Sequence, residues 1–139
     1  MAILEQVFQV EAGAFATAGE ASMTIKRTLK KLGINANVLH QLSVASYEVE
    51  LNLVIHSMGG ALTLTVEPDK LTLTSKDVGP GIPDIGKAMT EGYSTASEEA
   101  RSLGFGAGMG LPNMKRNATT FSIESEVGVG TTIVMTFAL

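Results

Sequence analysis

The chain has 139 residues, 45% of them hydrophobic and 17% charged, with a net charge of −4. That length supports one hydrophobic core, so residues 1–139 are read as a single domain. The absence of cysteine excludes a disulfide framework and a thiolate metal site. The acidic balance argues against non-specific nucleic-acid binding, which wants a basic face. The start, Met1-Ala2-Ile3-Leu4-Glu5, lacks the basic residues and apolar run of a signal peptide. No apolar stretch approaches the roughly 20 residues that span a bilayer, so a soluble, cytoplasmic protein is expected.

Residues 3–10 predict an edge strand with imperfect alternation. A helix is expected from Ala21 to Leu32, with Ile25, Leu29 and Leu32 on one stripe and Gly33 as its stop. Its cations Lys26, Arg27, Lys30 and Lys31 read as a solvated face or, alternatively, as a contact surface for an acidic partner. Val38–Met58 is the longest apolar-periodic segment, ended by Gly59-Gly60. Two strands, Ala61–Val66 and Lys70–Ser75, follow around a Glu67-Pro68-Asp69 turn. Residues 77–110 are rich in Gly, Ser and Thr, with a short helix expected over Asp84–Met89; so long a stretch with little regular structure means a functional lid or disorder. A helix beginning at Leu111, with Pro112 in its first turn, precedes a final hairpin of Phe121–Glu126 and Thr131–Phe137. The fold class that results is α+β, a two-layer sandwich of a mixed, mostly antiparallel sheet of four or five strands with helices on one face.

Three groups of residues carry chemistry. Spacings of four put Glu48, Asn52 and His56 on one stripe of the long helix. Such polar groups on a core-like helix must be hydrogen-bonded or used. A carboxylate there can take a proton from a hydroxyl or water, and the amide oxygen of Asn52 is a hard ligand suited to Mg²⁺. An ordinary amphipathic face is the competing reading; His56 is a packed or supporting histidine, and Glu50 points elsewhere as a surface charge. The second group, Asp77-Val78-Gly79-Pro80-Gly81, follows an apolar strand. It is either turn chemistry or a carboxylate that accepts a hydrogen bond from an adenine amino group, with glycines letting backbone approach the base.

The third and strongest signal is Gly104-Phe105-Gly106-Ala107-Gly108-Met109-Gly110-Leu111, with glycine at every second position. Such a run suits neither strand nor helix, but it can present backbone N–H groups to an anion at the start of the following helix. It is not a Walker A loop, because no Lys-Ser or Lys-Thr follows, and its spacing is not the Rossmann fingerprint. A ligand-free lid is the alternative. Ser94, Thr95 and Ser97 could hold phosphate or merely solvate that lid.

The order and spacing of these motifs, closed by Gly130-Thr131-Thr132, resemble the GHKL (Bergerat-fold) ATPases, which include histidine-kinase catalytic domains, gyrase, Hsp90 and MutL. Within that group, residues 77–89 and 110–116 are similar to the small bacterial anti-sigma-factor and switch serine/threonine kinases of partner-switching pathways. The resemblance implies ATP and Mg²⁺ as ligands, Glu48 as catalytic base, Asn52 as the Mg²⁺-binding amide and Asp77 as the adenine-reading acid. It also implies nucleotide contacts from Gly79, Gly81 and Ile82, from Gly104, Gly106, Ala107, Gly108, Met109, Gly110 and Leu111, and from Thr131, which would support adenine. Arg101 falls where related kinases hold the terminal phosphate, although Leu103 and Phe105 alter the local spacing; a solvent-exposed lid charge is its other reading.

By the same resemblance the partners are a small STAS-type (anti-anti-sigma) phosphoacceptor and a sigma factor, with no nucleic acid or membrane. Homodimerisation through the N-terminal strand and first helix is also implied. Histidine-kinase domains more often carry Asn at the place of Glu48 and need a phosphoacceptor helix pair, for which this chain has no room. A serine/threonine kinase acting on a small protein is therefore expected. The alternatives are a nucleotide-controlled sequestering protein and an ATPase with water as acceptor.

Overall fold

A computed structural model of the chain describes residues 3–82, 84–89 and 110–139. Strand β1 (Leu4–Val10) is followed by a 3-10 turn at Phe15–Thr17 and by helices α1 (Glu20–Lys31) and α2 (Ala36–His56). The hairpin β2 (Gly60–Val66) and β3 (Lys70–Asp77) comes next, then the short α3 (Ile85–Ala88). Helix α4 (Gly110–Asn117) and the hairpin β4 (Thr120–Glu126) and β5 (Gly130–Ala138) complete the described chain. The strands form one five-stranded sheet in the order β1-β2-β3-β5-β4, and all four pairings are antiparallel. The two-layer α+β expectation holds, with β1 and β4 at the edges. The sheet is antiparallel throughout its described pairings rather than mixed, because every sheet neighbour here is joined in the antiparallel sense.

Alternation decides which face of the sheet is covered. Leu62, Leu64 and Val66 of β2, Leu71 and Leu73 of β3, and Ile133, Met135 and Phe137 of β5 are all buried. The opposite face of the central strands is largely threonine, half-exposed at Thr63, Thr65, Thr72, Thr74 and Thr136. Beta-branched polar residues suit a pleated, partly wet surface. Ile25 and Leu29 of α1, Leu42, Val49 and Leu53 of α2, and Met114 of α4 close the core from above. Burying each large apolar side chain contributes roughly 1.5–3 kcal/mol, so this layer dominates the fold's stability.

Helix boundaries follow local chemistry. Gly33, at φ 74°, ends α1: its N–H donates to the Lys30 carbonyl while Ile34 N–H donates to Leu29. That is the paired-bond stop that a glycine past the helix end permits. Asn35 opens α2 by accepting from Asn37 N–H at 2.9 Å. Asp84 does the same for α3 through Lys87 N–H at 2.9 Å. Lys26, Arg27, Lys30 and Lys31 are all exposed, as a solvated face requires. No helix among the described residues is long and apolar enough to cross a membrane.

Candidate nucleotide site

The long helix α2 carries one end of the site. Its apolar residues face the sheet and α1, which leaves Glu48, Asn52 and His56 on a half-buried stripe facing away from the deepest core. Helix α4 lies across that stripe. A Cβ on Gly110 would sit 3.2 Å from Glu48 Oε2 and 3.3 Å from Asn52 Oδ1. A side chain there would press the ends of Glu48 and Asn52 aside by a few tenths of an ångström, which glycine avoids. Asn113, one turn along α4, donates from Nδ2 to Glu48 Oε1 at 3.5 Å. One carboxylate oxygen is thus engaged by Asn113, while the other lies against Gly110.

Electrostatics at this end are opposed. Burial pushes the Glu48 carboxyl above its ordinary value, and the Asn113 amide partly offsets the shift. A more basic carboxylate is a better proton acceptor at neutral pH. The positive end of the α4 dipole and the N–H groups of its first turn favour an anion beside the pair. The oxygen of Asn52 is a hard donor of the kind Mg²⁺ accepts, and Mg²⁺ typically takes few protein ligands and shares phosphate oxygens. The donor set therefore fits a magnesium–phosphate group. Burial also lowers the basicity of His56, which favours its neutral form.

The other end is built across three strands. Ser125 on β4 lies directly opposite Thr131 on β5, and Asp77 ends the neighbouring β3. Thr131 N–H donates to Asp77 Oδ1 at 2.9 Å. The Ser125 and Thr131 hydroxyls are 2.8 Å apart, and Ile82 N–H donates to Ser125 Oγ at 2.7 Å. A row of Asp77, Thr131 and Ser125 side chains thereby holds the backbone of residue 82. Burial raises the Asp77 carboxyl above its ordinary value, and the Thr131 N–H counters the rise.

Two glycines fit this end to its surroundings. Gly81, at φ 73°, has no space for a side chain, because a Cβ would run into the Glu126 carbonyl. Gly79 passes close to the end of α2, where a Cβ would lie 3.3 Å from Ser57 Cα. The Asp77 loop is thus seated on the same helix that carries Glu48 and Asn52. Leu111 is buried beneath the start of α4.

Of the residues expected from sequence, the structure brings Glu48, Asn52, Gly110 and Leu111 together at one end. It brings Asp77, Gly79, Gly81, Ile82 and Thr131 together at the other. Arg101, Gly104, Gly106, Ala107, Gly108 and Met109 lie outside the described residues, as do Ser94, Thr95 and Ser97. Glu50 corrects an expectation. It does point away from Glu48, but it is only 3% exposed and is no surface charge. Its carboxylate accepts from the N–H groups of Gly19 at 3.0 Å, Ala21 at 3.2 Å and Ser22 at 2.8 Å. A side chain from α2 thereby caps the start of α1, whose own Gly19 has no side chain to do so.

Sequence reasoning also missed Asn113 and Ser125. The signal for Asn113 was its place three residues after Gly110, on the same face of α4. For Ser125 it was the inward register of β4, which Phe121 and Ile123 share.

The comparisons with known proteins agree with this geometry. Residues 38–139 match the family described as histidine kinase-, DNA gyrase B- and HSP90-like ATPases. The chain is 32% identical to a Bacillus subtilis protein named serine/threonine-protein kinase RsbT, over 78% of each chain. It is 31% identical to an anti-sigma F factor of Clostridium acetobutylicum, over 83% of this chain and 80% of the relative. An anti-sigma F factor of Geobacillus stearothermophilus is 28% identical over 83% of this chain and 80% of its own length. The match spans both ends of the site, and the chain belongs to the histidine kinase-, DNA gyrase B- and HSP90-like ATPase family.

Proposed function

We propose that this chain is a single-domain, cytoplasmic protein serine/threonine kinase. It would move the γ-phosphoryl group of ATP to a hydroxyl of a small regulatory protein in a partner-switching pathway. The observation that carries the reading is the Glu48–Asn52 pair beneath Gly110, at the start of a helix and on an ATPase-family scaffold. Glu48 accepts the proton of the attacking hydroxyl as the new O–P bond forms and the bond to the β-phosphate oxygen breaks, releasing ADP. Asn52 would hold Mg²⁺, whose charge would offset that of the phosphates. Asp77 and Thr131 hold adenine, and the glycine-rich loop through Gly104, Gly106, Gly108 and Gly110 holds the phosphates. Arg101 adds positive charge at the terminal phosphate.

Phosphoryl transfer needs little beyond positioning and charge neutralisation, so a small domain suffices when the partner supplies the hydroxyl. Relatives named a serine/threonine-protein kinase and anti-sigma factors support a protein acceptor and a sigma-type partner; a STAS-type acceptor is part of this proposal. A homodimer through β1 and α1 is part of this proposal, because β1 is a sheet edge with an exposed outer face at Glu5, Val7 and Gln9.

The relatives named anti-sigma F factors favour a second reading, in which the protein sequesters its partner and nucleotide controls the hold. Incubation with γ-labelled Mg²⁺-ATP and a candidate STAS-domain protein separates the two. The kinase reading expects labelled serine or threonine on the acceptor, lost in Glu48→Gln while partner binding persists. Partner binding without any label would leave sequestration as the function.

A further inference from the structure

A carboxylate alone does not choose between purines. Asp77 can accept from the 6-amino group of adenine, or from the ring N–H of a 6-oxopurine such as hypoxanthine or guanine. With the sugar and phosphates fixing the register, the two classes present opposite patterns at the same two positions. Adenine offers a donor at C6 and an acceptor at N1; the oxopurines offer an acceptor and then a donor. Selecting adenine therefore needs a fixed donor beside the Asp77 acceptor, and Thr131, whose backbone N–H already donates to Asp77 Oδ1, carries a hydroxyl there.

A hydroxyl rotates to suit whatever it meets unless something fixes its proton. Ser125 supplies that constraint. Ile82 N–H already donates into Ser125 Oγ at 2.7 Å, so the Ser125 proton must point elsewhere. Two acceptors are in reach, the Gly130 carbonyl at 3.2 Å and Thr131 Oγ1 at 2.8 Å. Either hydroxyl of the 2.8 Å pair could donate; with Ser125 as the donor, the Thr131 oxygen is engaged as an acceptor and its own proton turns outward. The backbone N–H of Thr131 meanwhile donates to Asp77 Oδ1 at 2.9 Å, and the base would take Oδ2.

We propose that Ser125 is a positioning residue for base recognition. Through its hydrogen bond it orients the Thr131 hydroxyl, so that Asp77 and Thr131 present an acceptor beside a donor and select a 6-aminopurine over a 6-oxopurine. Ser125 does this without touching the base itself, and the proposal rests on the nucleotide-binding reading of the site.

Calorimetric titration with Mg²⁺-ADP and Mg²⁺-IDP, which differ at the 6-position and its neighbouring N1, tests it in the wild type, Ser125→Ala and Ser125→Thr. The wild type is expected to prefer ADP by about tenfold or more, the value of one well-placed hydrogen bond. Ser125→Ala should weaken ADP several-fold with little change for IDP, collapsing the ratio, and Ser125→Thr should restore it. Because Ser125 acts through Thr131, adding Thr131→Val to Ser125→Ala should reduce the ratio no further than Thr131→Val alone. Ser125→Cys, with a weaker donor of similar size, serves should the alanine variant not fold. A purely structural role would weaken both nucleotides together; an unchanged ADP-to-IDP ratio in the alanine or cysteine variant overturns the proposal. A wild type that binds neither nucleotide would sink the nucleotide reading, whereas binding without discrimination would sink this proposal alone.

Discussion

The two ends of the site are built in different ways. The Asp77 end is a row of side chains across three adjacent strands, with hydrogen bonds of 2.7 to 2.9 Å that close on one another. The Glu48 end rests on two packed helices and, among the described residues, one side-chain bond of 3.5 Å. Sheet register fixes the first before any ligand arrives. If the second is catalytic, as proposed, its long bond would tighten around substrate. On the proposed reading, the preformed Asp77 end would supply affinity and selectivity, while the helix-borne end would set a carboxylate whose pKa burial raises beside the phosphate.

Substitutions that damage one end alone would break or sharpen that contrast. Glu48→Gln carries the largest expected effect: phosphotransfer to the acceptor should fall by about 10²–10⁴-fold, the usual contribution of a general base. Calorimetry should find its ADP affinity close to wild type. Glu50→Ala tests the scaffold beneath both ends. Removing a buried carboxylate that three N–H groups share should destabilise the fold by about 2–4 kcal/mol in urea unfolding. An unchanged midpoint would mean that α1 begins just as well without that cap.

Asp77→Asn should weaken ADP by roughly 10- to 100-fold, since hydrogen bonds to charged groups contribute about 1.5–3 kcal/mol. Its thermal stability should not fall.

The smallest effect concerns pH. Burial raises the folded-state pKa of Glu48, so the protonated form is favoured in the native protein. Its relative stabilisation is present below the unfolded-state pKa and is lost as pH rises through the folded value. Two consequences follow. The acid limb of the phosphotransfer rate should lie above the ordinary glutamate range. Glu48→Gln should also melt slightly higher than wild type near pH 7, with the gap closing once the pH falls below the unfolded-state value. A lower melting temperature for Glu48→Gln at neutral pH would contradict this account of burial.

How much of this was legible in the sequence depended on whether the signal was local. The helix ends at Gly33 and Asp84 and the turns between strands rest on nearby chemistry, and they stand where the pattern puts them. Glu48, Asn52, Asp77, Gly79, Gly81 and Thr131 were found because their motifs resemble a family, and the geometry then brings them into two groups. Glu50 was misread because spacing along α2 shows only that it leaves the Glu48 stripe; that it meets the start of α1, 28 to 31 residues away, is a tertiary fact. Ser125 was invisible for a similar reason. A lone serine in an alternating strand looks like any half-exposed polar residue until the register puts it beside Thr131. Asn113 needed the packing of α2 against α4, which no one-dimensional pattern contains.

Calorimetric titration of the wild type and Asp77→Asn with Mg²⁺-ADP, with Glu48→Gln alongside, tests the two-ended site most directly. Tight binding by the wild type and Glu48→Gln, with a loss of at least about tenfold in Asp77→Asn, is the result predicted for base reading at Asp77 and chemistry at Glu48. Equal binding by the wild type and Asp77→Asn would contradict it.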